Sequence, residues 1–478
     1  MTTSQKKSRK VIPIFSDTSQ DNFVSLYEAQ KKIYPRSTSG FFTNWRWIMI
    51  WITQIVFYGV PWLQWGERQA LLLDITTHRF YIFGLILYPQ DLIYLAVILI
   101  ISALSLFLFT AVAGRLWCGF SCPQSVYTEI FLWVERKIEG DRAARIRLDN
   151  AKIGVKKVFK KWLKHAVWIS FSMWTGFTFL GYFTPIRDLT QGIMHFSLGP
   201  WETFWICFYG LATYGNAGFL REQVCKYMCP YARFQSAMFD KDTLIVTYDE
   251  ERGEPRSGRS RNVNAKEKGL GDCIDCSFCV QVCPVGIDIR NGLQYECISC
   301  GLCVDACDSV MDKMGYARGL IRFSTQNGIS QHWSKHEIVQ KIMRPRVLIY
   351  SAMLLLLCVG FAASLSLRSS FTVDVIRDRG VMSRLVPGGK VENVYQLQIF
   401  NATETAQTYR VSVTGLDGLS VASNKEFMVN AAASRKVAVS LQILDGTIKS
   451  GSHPIRFEIE ALGTPERVSE KSIFYMSR

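Results

Sequence analysis

Five stretches of the chain are almost continuously apolar, 45–65, 92–113, 166–186, 200–220 and 347–367, and polar, charge-rich sequence separates them. Each is close to the roughly 20 residues that cross the hydrocarbon core of a bilayer. Arg46 and Glu202 are the charged residues inside them, each near an end. The pattern predicts five membrane-spanning helices. A further run, FYIFGLILYP after Arg79, is too short to cross and is expected to form an interfacial lid or loop. Beyond residue 367 the period changes from continuous to alternating. Runs such as NVYQLQIFNAT, TYRVSVTGL, KVAVSLQIL and HPIRFEIEAL alternate apolar and polar positions and are parted by Gly, Asn, Asp and Ser. About seven such strands in about a hundred residues predict an immunoglobulin-like sandwich.

Charge sets an orientation on that pattern. The 478 residues carry a formal charge of +15 with 49% hydrophobic content. The loop 114–165 has twelve Lys or Arg against five acids, whereas the loops 66–91 and 187–199 hold only Arg68, Arg79 and Arg187. Positive flanks stay on the cytoplasmic side. The N-terminus, with Lys6, Lys7, Arg9, Lys10, Lys31, Lys32 and Arg36, is therefore expected in the cytoplasm together with 114–165 and 221–346. The tail 368–478 falls on the far side. Because the first 44 residues are polar, no cleavable leader is expected. The basic character reports topology and contact with anionic lipid, and nucleic acid is not an expected partner.

The domain reading is a cytoplasmic segment 1–44, a four-span core 45–220, a cytoplasmic region 221–346 with a ferredoxin module at about 265–320, a fifth span 347–367 and a sandwich 368–478. The fold class is thus a multi-domain membrane protein, α-helical in the bilayer and all-β at its C-terminus.

The strongest chemical signal is CIDCSFCVQVCP at 273–284 and CISCGLCVDACD at 297–308, each C-x2-C-x2-C-x3-C. Such a run gives three thiolates to one 4Fe-4S cube, and its fourth cysteine reaches the other cube of the pair. One cluster is then assigned to Cys273, Cys276, Cys279 and Cys307, the other to Cys297, Cys300, Cys303 and Cys283. Two nearby one-electron centres make a relay. Zinc sites and disulfides also use close cysteines, but zinc usually pairs C-x2-C units across a longer gap and disulfides do not persist in the cytoplasm. Asp308 stands where the second run would carry a proline.

A second constellation is duplicated. CGFSCP at 118–123 follows the second apolar run, and CKYMCP at 225–230 follows the fourth. Proline disfavours helix at the residue before it and starts helices well. Cys122 and Cys229 are therefore expected to cap new helices, where a thiol has a lowered pKa and suits soft-metal or redox chemistry. Packing of small buried residues is the alternative for any one cysteine. The four thiols meet if the two hairpins pack about a pseudo-twofold axis. The segment 250–270 is expected to be a flexible or surface-lying tether, and the helix 124–139 and the basic run AKIGVKKVFKKWLKH to lie on the inner leaflet or form a dimer face. GISQHWSKHEIVQKIMRPRVLIY reads as one amphipathic juxtamembrane helix with His332 and His336 a turn apart, weak metal candidates.

These pieces together resemble the CcoG family, also called FixG or RdxA, membrane iron-sulfur accessory proteins of cbb(3)-type cytochrome c oxidase assembly. CGFSCP, CKYMCP, the two ferredoxin runs, YFTPIRDL and the sandwich tail carry the resemblance. It implies a cupric reductase in the bacterial inner membrane that passes electrons to Cu(II) and yields Cu(I) for a copper-exporting P-type ATPase and the oxidase assembly factors. Cys118, Cys122, Cys225 and Cys229 would be the copper-binding or reducing thiols. The electron donor is open, with quinol one choice. The core also resembles the NapH-type quinol dehydrogenases, which lack the fifth span and the sandwich. A non-enzymatic assembly scaffold is the third reading.

Overall fold

The computed structural model describes residues 32–476 apart from 264–265, 379 and 381–382. The basic residues Lys6, Lys7, Arg9, Lys10 and Lys31 lie outside the described residues. All five apolar stretches are helical. The first helix, α1, runs Phe41–Gly59, and α2 runs Leu92–Ala113, where Gly114 in a left-handed conformation (φ 54) ends it. The short α3 (Leu116–Phe120) leads to α4 (Pro123–Glu139) and α5 (Arg142–Asn150). Then come α6 (Val155–Leu180), α7 (Ile186–Met194) and α8 (Pro200–Gly215), the last prolonged by a π-turn at Asn216–Leu220. A second π-turn, Val224–Met228, precedes α9 (Pro230–Met238).

Two of these elements, Pro89–Ala113 and the C-terminal helix Pro345–Ser366, are long and apolar enough to cross a bilayer, and their apolar windows are 0% and 6% buried. Bare apolar surface of that kind points to contact with lipid or a partner rather than to the core helix of a soluble protein. They pack on each other, with Tyr94 edge-on to Phe361 at 6.0 Å. The other three helices are less uniform. The basic run expected to lie separately on the leaflet is the first half of α6, which carries Lys156, Lys157, Lys160, Lys161 and Lys164 before it turns apolar. Lysines tolerate that place because α4 supplies Glu135 and Glu139, which pair with Lys164 and Lys161.

Helices α6 and α8 approach through glycine. A Cβ on Gly176 would meet the Ile206 carbonyl oxygen and lie 2.9 Å from the Gly210 nitrogen, a close backbone approach of the kind small residues permit between membrane helices. Gly176→Val is expected to cost about 1–3 kcal/mol by overpacking, read as a lowered melting temperature in detergent. Gly59→Val, which meets nothing within 4 Å, serves as the control.

FYIFGLILYP is neither lid nor loop. Arg79–Ile82 and Leu85–Leu87 join Leu71–Asp74 in a three-stranded antiparallel sheet. Asp74 closes the first turn by accepting from the backbone and hydroxyls of Thr76 and Thr77, and left-handed His78 and Phe83 complete the two hairpins. Strand propensity beats the apolar count here because the run is rich in aromatic and β-branched residues that suit a half-buried sheet.

The ferredoxin region is closed by an antiparallel pair, Ile245–Tyr248 with Ile321–Ser324. Between them lie α10 (Glu250–Gly253), α11 (Phe278–Val282) and α12 (Leu302–Met314). The described part of the 250–270 segment is fastened rather than a free tether. Arg252 bonds Asp272 at 2.7 Å, and Arg259 donates to the carbonyl oxygens of Cys273 at 3.2 Å and Gly271 at 2.5 Å. Beyond the module the expected single amphipathic helix is broken into α13 (Gln326–Ser330) and α14 (Lys335–Ile342), followed by the apolar α15 (Pro345–Ser366). Ser334 caps α14 in a capping box with Glu337. His332 sits in the break at φ 52, so it and His336 do not share a helix.

The C-terminal region is a two-sheet sandwich. One sheet orders Ser420–Val421, Ser434–Leu444, Lys390–Asn401 and Phe371–Arg377, with Arg384–Val386 also on Lys390–Asn401. The other orders Glu426–Val429, Gln407–Thr414, Gly451–Ala461 and Arg467–Met476. Tyr395, Leu397, Ile399, Tyr409, Phe457 and Phe474 fill the space between them, the inward set of the alternation. The three-stranded sheet docks on this domain through Leu72, Tyr81, Ile86 and Tyr88 against Phe400. The Tyr88 hydroxyl donates to the Asn401 carbonyl at 2.8 Å, and Arg368 pairs with Asp91 at 2.6 Å.

Candidate iron-sulfur and thiol site

Each ferredoxin run folds as the same tight turn. Asp275 and Ser277 flank Cys276, and Ser299 and Gly301 flank Cys300, all four with positive φ between 52 and 74. Three of these are not glycine, so the strain is held by the surroundings. The turn points backbone N–H groups at sulfur: Ser299 donates to Cys297 Sγ at 3.4 Å, and the N–H groups of Val285, Gly286 and Ile287 serve Cys283. Hydrogen bonds to sulfur are among the features that set cluster potentials.

The turns sort the eight cysteines into two groups. Cys307, carried by α12, feels the charges of Cys279, Cys273 and Cys276. Cys303, one turn earlier on α12, faces Cys300, Cys297 and Cys283 first. This ordering is compatible with the crossover expected from the sequence: α11 leads from Cys279 to Cys283, and α12 carries both Cys303 and Cys307. Apolar side chains seal both groups, with Val246, Ile289, Val304 and Met311 around the first and Val285, Ile287, Ile298 and Ala306 around the second. Burial pushes the thiols of Cys279, Cys297 and Cys307 up to about 12, so in this apolar surrounding the thiolate form would need a metal to stabilise it. Four-thiol donor sets in a dry shell fit 4Fe-4S cubes. Asp308, in the place of a proline, accepts from the Gly319 N–H at 2.9 Å and so ties the end of α12 to the loop after it.

The two CxxxCP motifs lie near one another. Cys122 and Cys229 are the N-caps of α4 and α9 with proline at the first helical position, as expected. Cys118 is close enough to feel Cys122, Cys225 and Cys229. The expected lowering of the capping thiol does not occur. Burial raises Cys122 despite the backbone N–H groups of Ser125 and Gln124, and it pushes Cys118 to about 12 and Cys225 to about 11. Desolvation outweighs the helix terminus. The Cys118 thiol points at Gln235 Oε1, 3.5 Å away. Among the described residues, no three His, Cys, Asp or Glu side chains converge as one metal ion would require. His332 instead approaches Glu251 at 3.4 Å in a break between helices, and nothing joins it to His336.

The thiol quartet and the second ferredoxin group are in backbone contact. Cys118 shares an apolar cluster with Cys283, Cys297, Cys300 and Cys303. A Cβ on the adjacent Gly119 would lie 2.7 Å from the Ile298 oxygen and 2.9 Å from Cys300 Cα. Arg46, only 4% exposed, holds this junction: its Nε donates to the Gly119 carbonyl at 3.1 Å and its guanidinium pairs with Glu129 at 3.2 Å. On the facing side Asp305 of α12 accepts from the N–H groups of Phe42 and Thr43 at the start of α1. Sequence reading missed Gly119 and Asp305, and took Arg46 for a charge near a helix end. The signal available was a charge inside an apolar run, which is expensive unless it has a partner.

Paired cysteine quartets on a membrane-associated helical base, with a β-sandwich at the opposite end, define an iron-sulfur electron-transfer protein. Comparison with known proteins agrees. Family profiles described as "4Fe-4S dicluster domain", "4Fe-4S binding domain" and "IG-like fold at C-terminal of FixG" match residues 220–326, 95–140 and 361–477. The chain is 36% identical to the "Nitrogen fixation protein FixG" of Rhizobium meliloti over 82% of this chain and 80% of that one. It is 37% identical to "Protein RdxA" of Cereibacter sphaeroides over 92% and 96%. A crystal structure of a FixG-related protein from Vibrio parahaemolyticus aligns with 23% of this chain and 97% of its own at 25% identity, with a TM-score of 0.21. The chain belongs to the FixG/RdxA family, also called CcoG.

Proposed function

We propose that the chain is a membrane iron-sulfur cupric reductase, with Cys273, Cys276, Cys279 and Cys307 on one 4Fe-4S cluster, Cys283, Cys297, Cys300 and Cys303 on the other, and Cys118, Cys122, Cys225 and Cys229 receiving copper. The backbone contact between Gly119 and the Cys300 loop carries the reading, because it sets the thiol quartet against the second cluster's ligands. Each Cu(II) takes one electron from a reduced cluster and leaves as Cu(I), which thiols favour. The electron donor stays open, and a quinol, giving up two electrons and two protons, would suffice to reduce both clusters. Copper here is substrate. Handover to a copper-exporting ATPase and to oxidase assembly factors is part of this proposal. We place the five helices across the bacterial inner membrane, the cysteines on the cytoplasmic side and the sandwich on the periplasmic side, a placement supported by the docking of the sandwich at the end away from the cysteines.

The test uses the purified protein with clusters intact and reduced. Mixed with Cu(II), its cluster absorbance is expected to return to the oxidised form. Replacing Cys118, Cys122, Cys225 and Cys229 with Ser should abolish that response and leave cluster content unchanged. Clusters reoxidised equally fast in the variant overturn the role of the thiols. Reoxidation by a quinone analogue but not by copper assigns the chain to quinone chemistry instead.

A further inference from the structure

A cavity of about 310 Å³ lies between the start of α1, the amphipathic α4 and the loop of the second cysteine group. It belongs to neither the clusters nor the thiol quartet. Five cationic side chains line it, those of Arg36, Arg46, Arg136, Lys137 and Arg145, against the one carboxylate of Glu129. That carboxylate is already committed: it pairs with Arg46 at 3.2 Å and Arg136 at 2.9 Å.

The remaining cations have unspent capacity. Arg145 is 2% exposed and bonds Glu135 at 3.0 Å and the Pro35 carbonyl, but its Nε has no partner. A buried guanidinium N–H left unpaired is costly unless a ligand accepts from it. Among the described residues Lys137 pairs with no carboxylate. Its ammonium lies 5.8 Å over the Trp133 ring, and the Arg36 guanidinium lies 4.5 Å over Phe278. Trp47 and Trp133, with ring centres 6.4 Å apart, supply an aromatic wall. The opposite wall is Val282, Pro284 and Leu302, neighbours of Cys283 and Cys303.

We propose that this cavity binds a phosphate-bearing ligand, the anion held by Arg36, Lys137 and Arg145 and its apolar or ring portion laid on Trp47 and Trp133. Guanidinium and ammonium groups set in a partly dry recess recognise phosphate through charge-assisted hydrogen bonds. Two sources carry this chemistry, the headgroup of an anionic phospholipid and a phosphorylated small molecule such as a flavin nucleotide. The site stands apart from copper reduction, because none of its lining residues belongs to the thiol quartet.

The experiment uses the full-length protein in nanodiscs of phosphatidylcholine and follows tryptophan fluorescence. Flavin mononucleotide and inorganic phosphate are titrated separately, and a third sample contains phosphatidylglycerol, its retention through purification measured by mass spectrometry. The double variant Arg36→Gln with Lys137→Gln removes two charges without touching the buried ion pairs, and cluster absorbance verifies that it is folded. Loss of both contacts is expected to weaken binding about tenfold or more. Saturable flavin binding identifies a soluble carrier, selective retention of phosphatidylglycerol identifies a lipid, and saturation by phosphate alone supports the anion chemistry. Absence of binding by all three, or binding equal in the double variant, overturns the proposal. No copper enters the titration, so its outcome is separate from that of the reductase assay.

Discussion

Cys307→Ser is expected to remove the first cluster and spare the second, although Cys307 is the last cysteine of the second run. The purified variant should keep about half the iron and acid-labile sulfide of the parent, as the ligand crossover of paired clusters requires. Cys283→Ser is its mirror and should remove the second cluster alone. The physical basis is the direction of two short helices. Cys303 and Cys307 are one turn apart on α12, yet the thiolate charges that act most on Cys307 are those of Cys279 and Cys273, while those that act most on Cys303 are those of Cys300, Cys297 and Cys283. Serine keeps the volume but binds iron poorly, so the cube fails rather than the fold. Low-temperature electron paramagnetic resonance distinguishes the survivors: the spin-spin broadening expected from two neighbouring reduced clusters should collapse in either variant. If Cys307→Ser instead loses the cluster of its own run, the ligand assignment is wrong.

Much of the site was legible because the chemistry is written in spacing. Eight cysteines in a repeated register point to 4Fe-4S clusters, which the family profiles bear out, and proline after Cys122 and Cys229 specifies where two helices begin. The sandwich was legible for a similar reason, since alternation has a period of two and the inward set Tyr395, Leu397 and Ile399 is also the apolar set. What stayed hidden depends on partners distant in the chain. The apolar count of FYIFGLILYP hid a sheet that is stabilised by Phe400, more than three hundred residues away. The lowered thiol expected of a helix cap was overruled by burial, which depends on packing between segments distant in the chain. The break at His332 has a local cause, the Ser334 and Glu337 capping box, which was readable in SKHE but was outweighed by the apolar periodicity around it.

Gly119→Val is expected to leave both clusters assembled and to slow electron transfer to copper by at least about tenfold, a barrier increase of roughly 1.4 kcal/mol. A side chain at 119 has nowhere to go. Its Cβ would stand 2.7 Å from the Ile298 oxygen, 2.9 Å from Cys300 Cα and 3.0 Å from the Cys300 nitrogen, and all three are backbone atoms that no rotamer change can move. The ferredoxin loop is fixed by its own cluster and by Asp305 gripping α1, so the CGFSCP turn is the part that yields. As it withdraws, the 3.1 Å bond from Arg46 to the Gly119 carbonyl breaks. Arg46 remains paired with Glu129, whose carboxyl its charge and that of Arg136 keep below the ordinary range against the opposing effect of burial, so the helices around it hold. Overpacking then costs roughly 1–3 kcal/mol of stability, while under the proposed function the larger loss would fall on transfer, since tunnelling between a cluster and copper held by the thiols would decay steeply with separation. The measurements are iron content, cluster absorbance and the rate of reoxidation by Cu(II), with Gly154→Ala, which meets nothing within 4 Å, as the control. A Gly119→Val protein with full clusters and an undiminished rate would show that electrons reach copper by a route that bypasses this junction.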